Sequence, residues 1–466
     1  MRSSPFEPVR ASTTLPVVAL LVSGCASYSA MPLEGVDVLD QLALRSTGAP
    51  ADPAPQPDWL EQWFPLANDV RFDDGVTLAE ANALALYYSP RLRAARARED
   101  ISEALVIQAG VLKNPQLFLG PRLSLEEATS IVPASVYWQV PLWGQRSARK
   151  ESALAGLDVS QLEVVDAELA TLQAVRNGFL RLERRRSEED AYAAAAAFSS
   201  DLVRWIEQLR AAGEADPAAV YLVRSERDGI HFALERARAR RVAARIELLE
   251  LVGLLPDAAV EFVTADARTM PSNEALDETQ ALLRVPALRR AHAEYDAAEA
   301  ALKLAVRKQY PTVRLGLEYE SDRGEVFLGP GLLLSLPLFD RNQGGIAAAE
   351  RARGLARENY TAALLRASHR VARSRTRVDA AASSLEVYRE GALREADSAL
   401  TALKDRLRLG RATPLEAVAT QSALARTRVQ VLELEEQLYA ARFELAVASG
   451  LALSPTTQPD PEELPQ

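Results

Sequence analysis

The most constraining feature of the sequence is an internal repeat. Seven prolines and glycines recur later in the chain at a nearly constant offset of about 196 positions. The pairs are Pro90 and Pro286, Pro115 and Pro311, Gly120 and Gly316, Pro141 and Pro337, Gly213 and Gly410, Pro217 and Pro414, and Gly253 and Gly450. One offset shared by seven markers indicates two tandem copies of one unit, and such a repeat outranks local signals in predicting a fold.

Each copy predicts the same order of elements. In the first copy, Ser89 and Pro90 supply an N-cap and a first helical residue, and the helix runs to about Lys113. Two strands follow, and then a very long helix over about 145–212. Gly213 is predicted to end this helix, because glycine readily adopts the left-handed conformation that closes a helix.

The second copy predicts a matching long helix over about 343–409, which Gly410 ends. Thr413 and Glu416 predict a capping box at the start of the last helix, with Pro414 as its first helical residue. Apolar residues spaced by seven form two series, Leu364, Val371, Val378 and Leu385, and then Leu393, Leu400 and Leu407. We therefore predict coiled-coil packing along a helix about 100 Å long, too long for a compact core.

The strands are predicted at about 116–126 paired with 131–141, and at about 312–322 paired with 325–337. Their lengths fit tilted transmembrane β-strands, and apolar and polar residues alternate along them. Aromatic residues near the run ends predict a membrane interface, with Trp138, Trp143, Tyr310 and Phe339 as the interface candidates. The alternative is a soluble hairpin packed on helices. Four strands are too few to close a membrane barrel, so the membrane hypothesis requires several chains to share one.

Arg2 and Arg10 precede a short apolar run, which is typical of a secretory signal peptide. The run ends in VSGC at Cys25, and this tetrapeptide resembles a bacterial lipobox. Cys25 is therefore the predicted lipidation site, and Ala26 after it resembles lipoproteins sorted to the outer membrane. The alternative is an unmodified thiol inside the signal peptide.

The composition argues against several other classes of protein. Alanine, leucine, arginine and glutamate dominate, and the net charge of −10 does not favour nucleic-acid binding. The three histidines, His231, His292 and His369, lack ligand spacing and are interpreted as solvated helix positions. The sequence contains no P-loop, GxSxG or HExxH motif. We expect no enzyme activity, no cofactor and no metal site.

In this context the chain resembles the TolC-like outer-membrane efflux protein family. The resemblance rests on an ordered set of segments, SPRLRAARARED, NPQLFLG, PLWGQRSAR, YPTVRLGLEY, LPLFDRNQGGIAAAE, LGRATPLEAVATQ and ARFELAVASG, over about residues 76–452. The segment QVPLWGQRSARKESA is similar to the heavy-metal efflux (CzcC-like) branch. No single segment is specific alone; their order and duplication carry the resemblance.

The resemblance implies a mostly α-helical fold with a membrane β-barrel part. Each chain of a homotrimer would contribute four strands to one 12-stranded barrel, below which the long helices form a periplasmic tunnel. The protein would be an outer-membrane lipoprotein carrying palmitate, in contact with outer-membrane lipid. It would act as a passive exit duct that docks on a periplasmic adaptor (membrane fusion) protein and an inner-membrane pump.

The resemblance also implies that the two turns between helices meet the adaptor. Their candidate residues are Gly213, Pro217, Gly410, Arg411, Pro414 and Glu416. Members of the family carry an acidic ring at the closed periplasmic entrance, and the matching position here falls at about Ala419. The gate chemistry of this chain therefore departs from the family pattern, and Glu416 is a weak substitute.

The predicted divisions follow from the repeat and the resemblance. They are a signal peptide over 1–24, a lipidated N-terminal linker over 25–75, the first repeat over 76–253 with strands at about 116–141, an equatorial linker over 254–275, the second repeat over 276–452 with strands at about 312–337, and a C-terminal tail over 453–466. Two other functions stay open at this stage: the exit duct of a type I protein-secretion system, and a lipid-anchored coiled-coil scaffold without a pore. The sequence does not identify the transported substrate.

Overall fold

The computed structural model describes residues 28–45, 66–67, 70–120, 122–123, 130–131, 133–264, 268, 282–322 and 325–450. The chain forms two units, 1–44 and 45–466. In the first unit the described element is helix α1 (Gly35–Leu44), none of whose residues is buried. The second unit holds the remaining described elements.

The first repeat begins one helix earlier than the Ser89 start implies. Its helices are α2 (Leu78–Tyr88), α3 (Pro90–Gly110), α4 (Gln145–Ala211) and α5 (Pro217–Val252). The Thr77 hydroxyl and the Glu80 side chain form a reciprocal capping box at the start of α2. The Ser89 hydroxyl caps α3 by accepting from the N–H of Leu92. Helix α4 runs unbroken for 67 residues, in agreement with the predicted long helix.

The second repeat has the same plan with one interruption. Its helices are α6 (Pro286–Arg307), α7 (Gln343–Glu386), α8 (Arg394–Arg408) and α9 (Pro414–Ala448), with a π-helical turn over Val387–Leu393 between α7 and α8. The single long helix predicted over 343–409 is thus wrong over these seven residues. The reason lies in the heptads: Leu385 and Leu393 are eight residues apart, not seven. A wider π-helical turn accommodates the additional residue and keeps both leucines on the packed face.

Both repeats form a long hairpin with one continuous and one divided side. Helix α4 packs against both α3 and α5, and α7 packs against both α6 and α9. The last part of the second long helix, α8, continues the packing against α9. In each repeat, two shorter helices therefore run beside a long one.

The hairpins of the two repeats combine in one antiparallel sheet. Its strands are β1 (Gln116–Leu119), β4 (Ala134–Val140), β5 (Val313–Asp322) and β6 (Glu325–Leu334), in the order β1-β4-β5-β6. Strand β4 of the first repeat pairs with β5 of the second, from Ala134 opposite Tyr319 to Val140 opposite Val313. The two repeats therefore contribute one hairpin each to a four-stranded sheet, as the fold class predicted.

The first strand is shorter than the predicted 116–126. Strand β1 ends at Leu119, and β2 (Arg122–Leu123) pairs separately with β3 (Ser130–Ile131). The residue that follows Gly120 in the sequence is a proline, which has no N–H to donate to a ladder. The second strand of the later hairpin ends at Leu334, before Pro337, for which the same limit applies.

The largest core lies where α2 and the segment after α5 cross the first repeat. Val76 donates its N–H to Glu261 O at 2.8 Å and accepts from Val263 N–H at 2.9 Å. This bridge places Phe262 against Phe179 of α4, with ring centroids 5.6 Å apart in an edge-to-face arrangement. Apolar side chains of α2, α4 and α5 complete the cluster. The middle of the first repeat is therefore wrapped by chain segments outside its helical hairpin.

Candidate functional site

The four-stranded sheet has one apolar and one polar face. Because side chains alternate along a strand, the register assigns each residue to a face. One face carries Ala134, Val136, Trp138, Val140, Val313, Leu315, Leu317, Tyr319, Leu328, Pro330, Leu332 and Leu334. The other face is mostly polar or glycine, with Gln116, Ser135, Tyr137, Gln139, Arg314, Gly316, Glu318, Glu320, Gly329 and Gly331, and it also carries Phe118, Phe327 and Leu333. One apolar and one polar face are expected of a sheet that lies between lipid and water.

The apolar face is uncovered in the single chain. Leu315 and Leu332, which lie opposite each other in the register, are 51% and 68% exposed. A contiguous apolar surface of this kind marks contact with a membrane or another protein. No described helix covers these leucines, since the helices extend from one end of the sheet.

The polar face contains a side-chain arrangement that sequence reasoning missed. The phenol of Tyr137 donates a hydrogen bond to Glu318 of the neighbouring strand. Gly316 and Gly331 lie opposite each other, and a Cβ on either would meet the Tyr137 side chain at less than 3 Å. The two glycines thus make room for the tyrosine. The alternation along β4 places Tyr137 on the polar face.

The four interface candidates lie at the end of the sheet where strands join helices. The Trp143 ring stacks on Tyr310 with centroids 5.7 Å apart, which joins the two repeats. The indole Nε1 of Trp138 donates to Lys113 O at 3.1 Å. Phe339, five residues after the end of β6, is 93% exposed. Their role at a membrane interface stays a prediction.

The two helix tips have the same geometry. The N–H of Glu214 bonds Leu209 O at 2.8 Å, and the N–H of Arg411 bonds Arg406 O at 2.8 Å. In each tip the glycine just before the N–H donor has a positive φ, which is +80° at Gly213 and +65° at Gly410. This is the closing motif that a left-handed residue permits, and it satisfies the last carbonyls of each long helix.

The structure brings the two tips together. Buried side chains of α4 and α5 share one apolar cluster with side chains of α8 and α9. Ala215 of the first turn and Ala412 of the second both pack against this cluster. Pro217 is exposed, whereas Pro414 is buried. The tips therefore form one composite end of the molecule.

The second tip exposes the side chains that a partner would meet. Arg411 and Glu416 are exposed, and the Thr413 hydroxyl accepts from the Glu416 N–H at 3.2 Å, one half of the predicted capping box. Ala419, the position expected to match the family's acidic ring, is exposed on α9 three residues after Glu416. On a helix this spacing puts the two residues on the same side.

Ion pairs join the packed helices, and sequence reasoning did not predict them. Glu188 of α4 is 1% exposed, yet Arg185 and Arg240 approach its carboxylate at 2.5 and 2.7 Å. Arg389, in the π-helical turn, bonds Glu435 of α9 at 2.6 Å.

Burial shifts several pKa values in this region. Desolvation lowers the pKa of Arg176 to about 10, and its guanidinium lies 4.6 Å from the centre of the Phe443 ring. Burial also raises the pKa of Glu168, although Arg96 donates to it at 3.1 Å and opposes the shift. For Glu183, burial raises the pKa and Arg268 opposes the rise. These groups join helices rather than converge on a reaction centre.

Other sequence predictions concern anchoring and metals. Cys25 lies outside the described residues. His231, His292 and His369 are all exposed. Within the described ranges, no group of three or more His, Cys, Asp or Glu side chains could hold a metal ion. Over the same part of the chain, helices long and apolar enough to cross a bilayer are absent.

The comparisons with known proteins agree with one another on the type of protein that this chain resembles. The family described as "Outer membrane efflux protein" matches residues 279–451, which is nearly the whole second repeat. Over this part of its length, the chain is similar to outer membrane efflux proteins. The family and its fold are those of outer-membrane channels rather than enzymes.

Individual relatives extend the similarity to both repeats. The cobalt-zinc-cadmium resistance protein CzcC of Cupriavidus metallidurans is 25% identical over 378 residues, covering 78% of this chain and 88% of the relative. The pyoverdine export outer membrane protein OpmQ of Pseudomonas aeruginosa is 27% identical, covering 71% of each. The outer membrane protein VceC of Vibrio cholerae shares the fold, with a TM-score of 0.67 and 21% identity, over 80% of this chain and 96% of VceC.

Proposed function

We propose that the protein is the outer-membrane channel of a tripartite efflux system and acts as a passive exit duct. The observation that carries this proposal is the two-faced sheet mounted on the end of long paired helices. The apolar face suits lipid, and the polar face suits a water-filled lumen. The match of the second repeat to the outer membrane efflux protein family, and the similarity to CzcC and OpmQ, support the same function.

The duct is proposed to be a homotrimer. The outer strands of the four-stranded sheet, β1 and β6, each have one neighbour in the single chain. Open edges are unfavourable in lipid, so the strands of three chains would close one 12-stranded barrel. Helix α5 also carries exposed apolar residues, including Tyr221 at 70%, Phe232 at 65% and Val242 at 51%. A neighbouring chain would cover such a stripe.

The purified protein in mild detergent tests the assembly. We expect a mass of three chains, and discrete conducting pores in planar lipid bilayers. A monomeric mass together with the absence of conductance would contradict the shared barrel and favour a scaffold without a pore.

The composite end formed by the two tips is proposed to dock on a periplasmic adaptor that joins the duct to an inner-membrane pump. A Cβ on Gly213 or Gly410 would meet no atom within 4 Å, so a larger side chain there would project into open space. Gly410→Trp should therefore fold and insert, apart from about 1 kcal/mol of strain at positive φ. Its bulk would obstruct the adaptor, and export should fail.

The measurement is export-dependent resistance, alongside membrane abundance and adaptor cross-linking. Gly410→Ala is the matched control, because it has the same backbone strain without the bulk. Gly213→Trp should act in the same direction at the sister tip. Normal export and cross-linking in both tryptophan variants would place adaptor docking elsewhere on the helices.

Cys25 is proposed to carry a lipid anchor, including palmitate, in the outer membrane. Cys25→Ser should abolish acylation and leave the strands able to insert, because the apolar face of the sheet holds the protein in lipid independently. Mass spectrometry of the mature N-terminus checks this. An unmodified Cys25, or cleavage at another position, would contradict the lipobox hypothesis.

The relatives leave the cargo open. CzcC is named for cobalt-zinc-cadmium resistance and OpmQ for pyoverdine export, so the two relatives do not point to one cargo. Membership of the CzcC-like branch is supported by the similarity to CzcC and by the segment QVPLWGQRSARKESA. It does not assign a metal cargo to this chain.

A further inference from the structure

A cavity of about 220 Å³ lies where the sheet meets the helices. It is lined by the ends of α3, α4 and α6 and by the adjoining strand ends, so residues of both repeats form it. Gln139 of β4 and Thr312 before β5 belong to this lining. Gln139 lies on the polar face of the sheet, opposite Arg314 in the register. The cavity therefore opens on the side proposed to face the lumen.

Three cations line this cavity: one follows α3, one lies near the start of α4, and one caps the end of α6. They are Lys113, Arg149 and Lys308. Within the described part of the chain, none of their charged groups has an ion-pair or hydrogen-bond partner. The lining contains no carboxylate. The positive charge of the cavity is thus uncompensated.

The nearby groups do not neutralise this charge. Glu151, two residues after Arg149, accepts from Lys303 at 2.6 Å, so it is already paired. Arg314, above the cavity on the polar face, donates to the neutral amide oxygen of Gln116 at 3.3 Å. Gln145 at the cavity wall uses its amide N–H to bond Arg307 O and Tyr310 O at 3.2 and 3.3 Å. These bonds fix the wall and leave the three cations directed at solvent or a ligand.

We propose that this cavity is an anion-binding subsite of the duct and that the cargo carries an anionic group, such as a carboxylate or phosphate. This inference rests on the proposed channel function. Three chains would place three such cavities at one level of the lumen. A channel wall of one charge sign concentrates counter-ions, so anions would be favoured there and bare divalent cations disfavoured.

The test uses the full-length protein in planar bilayers of uncharged phosphatidylcholine under a potassium chloride gradient. The reversal potential gives the anion-to-cation permeability ratio, which we expect to favour chloride. Combining Lys113→Gln, Arg149→Gln and Lys308→Gln should lower this ratio about threefold or more, since the local counter-ion concentration falls with the wall charge. Inorganic tripolyphosphate should reduce the wild-type current and affect the variant less.

Arg351→Gln, Arg366→Gln and Arg373→Gln together form the matched control, with the same change of charge at exposed arginines of α7 outside the cavity. An equal shift in both triple variants, or none in the cavity variant, would overturn the subsite. If the triple variant fails to fold, Lys113→Gln alone at its exposed position supplies the test, with a smaller shift in the same direction expected.

Two further outcomes separate the source of the anion and the underlying function. A lipid phosphate could also occupy a cationic cavity at this level. If the selectivity effect and the tripolyphosphate block disappeared when phosphatidylglycerol was added to the bilayer, the occupant would be a lipid headgroup and the cargo assignment would be wrong. If the wild-type protein did not conduct at all, the channel proposal itself would fail, whereas conduction with unchanged selectivity would reject the subsite alone.

Discussion

The long helices of the two repeats have the same predicted pattern but very different surroundings. Helix α4 of the first repeat buries residues along much of its length, from Ala148 to Ile206. Helix α7 of the second repeat buries only Ala356, Ser374, Ala381 and Leu385 within the described chain. Exposed leucines such as Leu355 and Leu365 remain on its surface. Both repeats contain a long helix, but the described residues of the single chain cover α4 far more than α7.

The covering segments explain the difference. Val76, α2 and the segment through Phe262 pack across α4 and α5 and form the largest core with them. The cluster that contains α7 is smaller, with Ala381 and Leu385 packed against residues of α9. We infer that the first repeat is stabilised largely within its own chain. The second leaves surface for the neighbouring chains of the proposed trimer.

The largest expected loss of stability is at Phe179, where a substitution tests how strongly the first repeat is covered. It is fully buried against Phe262, whereas its counterpart 197 positions later, Thr376, is exposed. Phe179→Ala should lower the free energy of unfolding by about 3–5 kcal/mol, through lost transfer energy and the cavity left behind. Thermal and denaturant unfolding in detergent, followed by circular dichroism, measure the change.

Thr376→Ala is the matched control in the second repeat. Its hydroxyl donates only to Ala372 O of its own helix, at 3.1 Å, so a change within about 0.5 kcal/mol is expected. Equal losses at the two positions would show that the second repeat is as well covered in the assembly as the first is in the chain. That result would remove the contrast between the repeats.

The sequence predicted most of the architecture because the repeat and the heptads are long-range patterns. Ser89, Gly213 and Gly410 marked helix boundaries correctly, since caps and left-handed turns have strong residue preferences. The π-helical turn was missed, although the eight-residue step from Leu385 to Leu393 was visible in the sequence. An eight-residue step in a seven-residue repeat shifts the next leucine off the packed face, and a wider turn corrects that shift.

The candidate site was less predictable, because it depends on contacts between distant segments. The stacking of Trp143 on Tyr310 joins the two copies, and no local pattern specifies it. The packing of Tyr137 over Gly316 and Gly331 likewise needs the register of three strands. The cationic cavity combines three helix ends. Sequence periodicity assigns residues to faces, but not to partners across elements.

A smaller effect is expected from the pH dependence of the first repeat. Glu168 of α4 is 4% exposed and burial raises its pKa, while the counterpart 197 positions later is the exposed Leu365. A raised folded pKa means that the folded state holds the proton more tightly than the unfolded state. The free energy of unfolding should therefore fall as pH rises from the ordinary carboxyl range through the folded pKa.

Glu168→Gln should remove the contribution of this carboxyl group. The free energy of unfolding should then depend less on pH between the ordinary carboxyl pKa and the raised pKa of Glu168. Unfolding midpoints across a pH series give the measurement. Glu103→Gln, at an exposed carboxylate of α3, is the control and should leave the profile as it is in the wild type. A parallel profile for wild type and Glu168→Gln would mean that Arg96 offsets the burial of Glu168 in full.

The smallest expected change in stability is at the π-helical turn, which interrupts the second long helix but has no counterpart in α4. Gly391 lies in the π-helical turn, has no positive φ, and a Cβ there would meet no atom within 4 Å. Gly391→Ala should therefore raise the free energy of unfolding by about 0.5–1 kcal/mol, because alanine loses less backbone entropy on folding.

Gly354→Ala in the regular part of α7 and Gly156→Ala in α4 are matched controls, since both glycines also have open space around the missing Cβ. Equal gains at the three positions would mean that the π-helical turn follows from the spacing of Leu385 and Leu393 and does not depend on glycine. Unfolding midpoints in detergent distinguish this from a turn that needs glycine. A loss at Gly391 beside gains at Gly156 and Gly354 would make the turn a property of Gly391 itself, and the heptad explanation would then be insufficient.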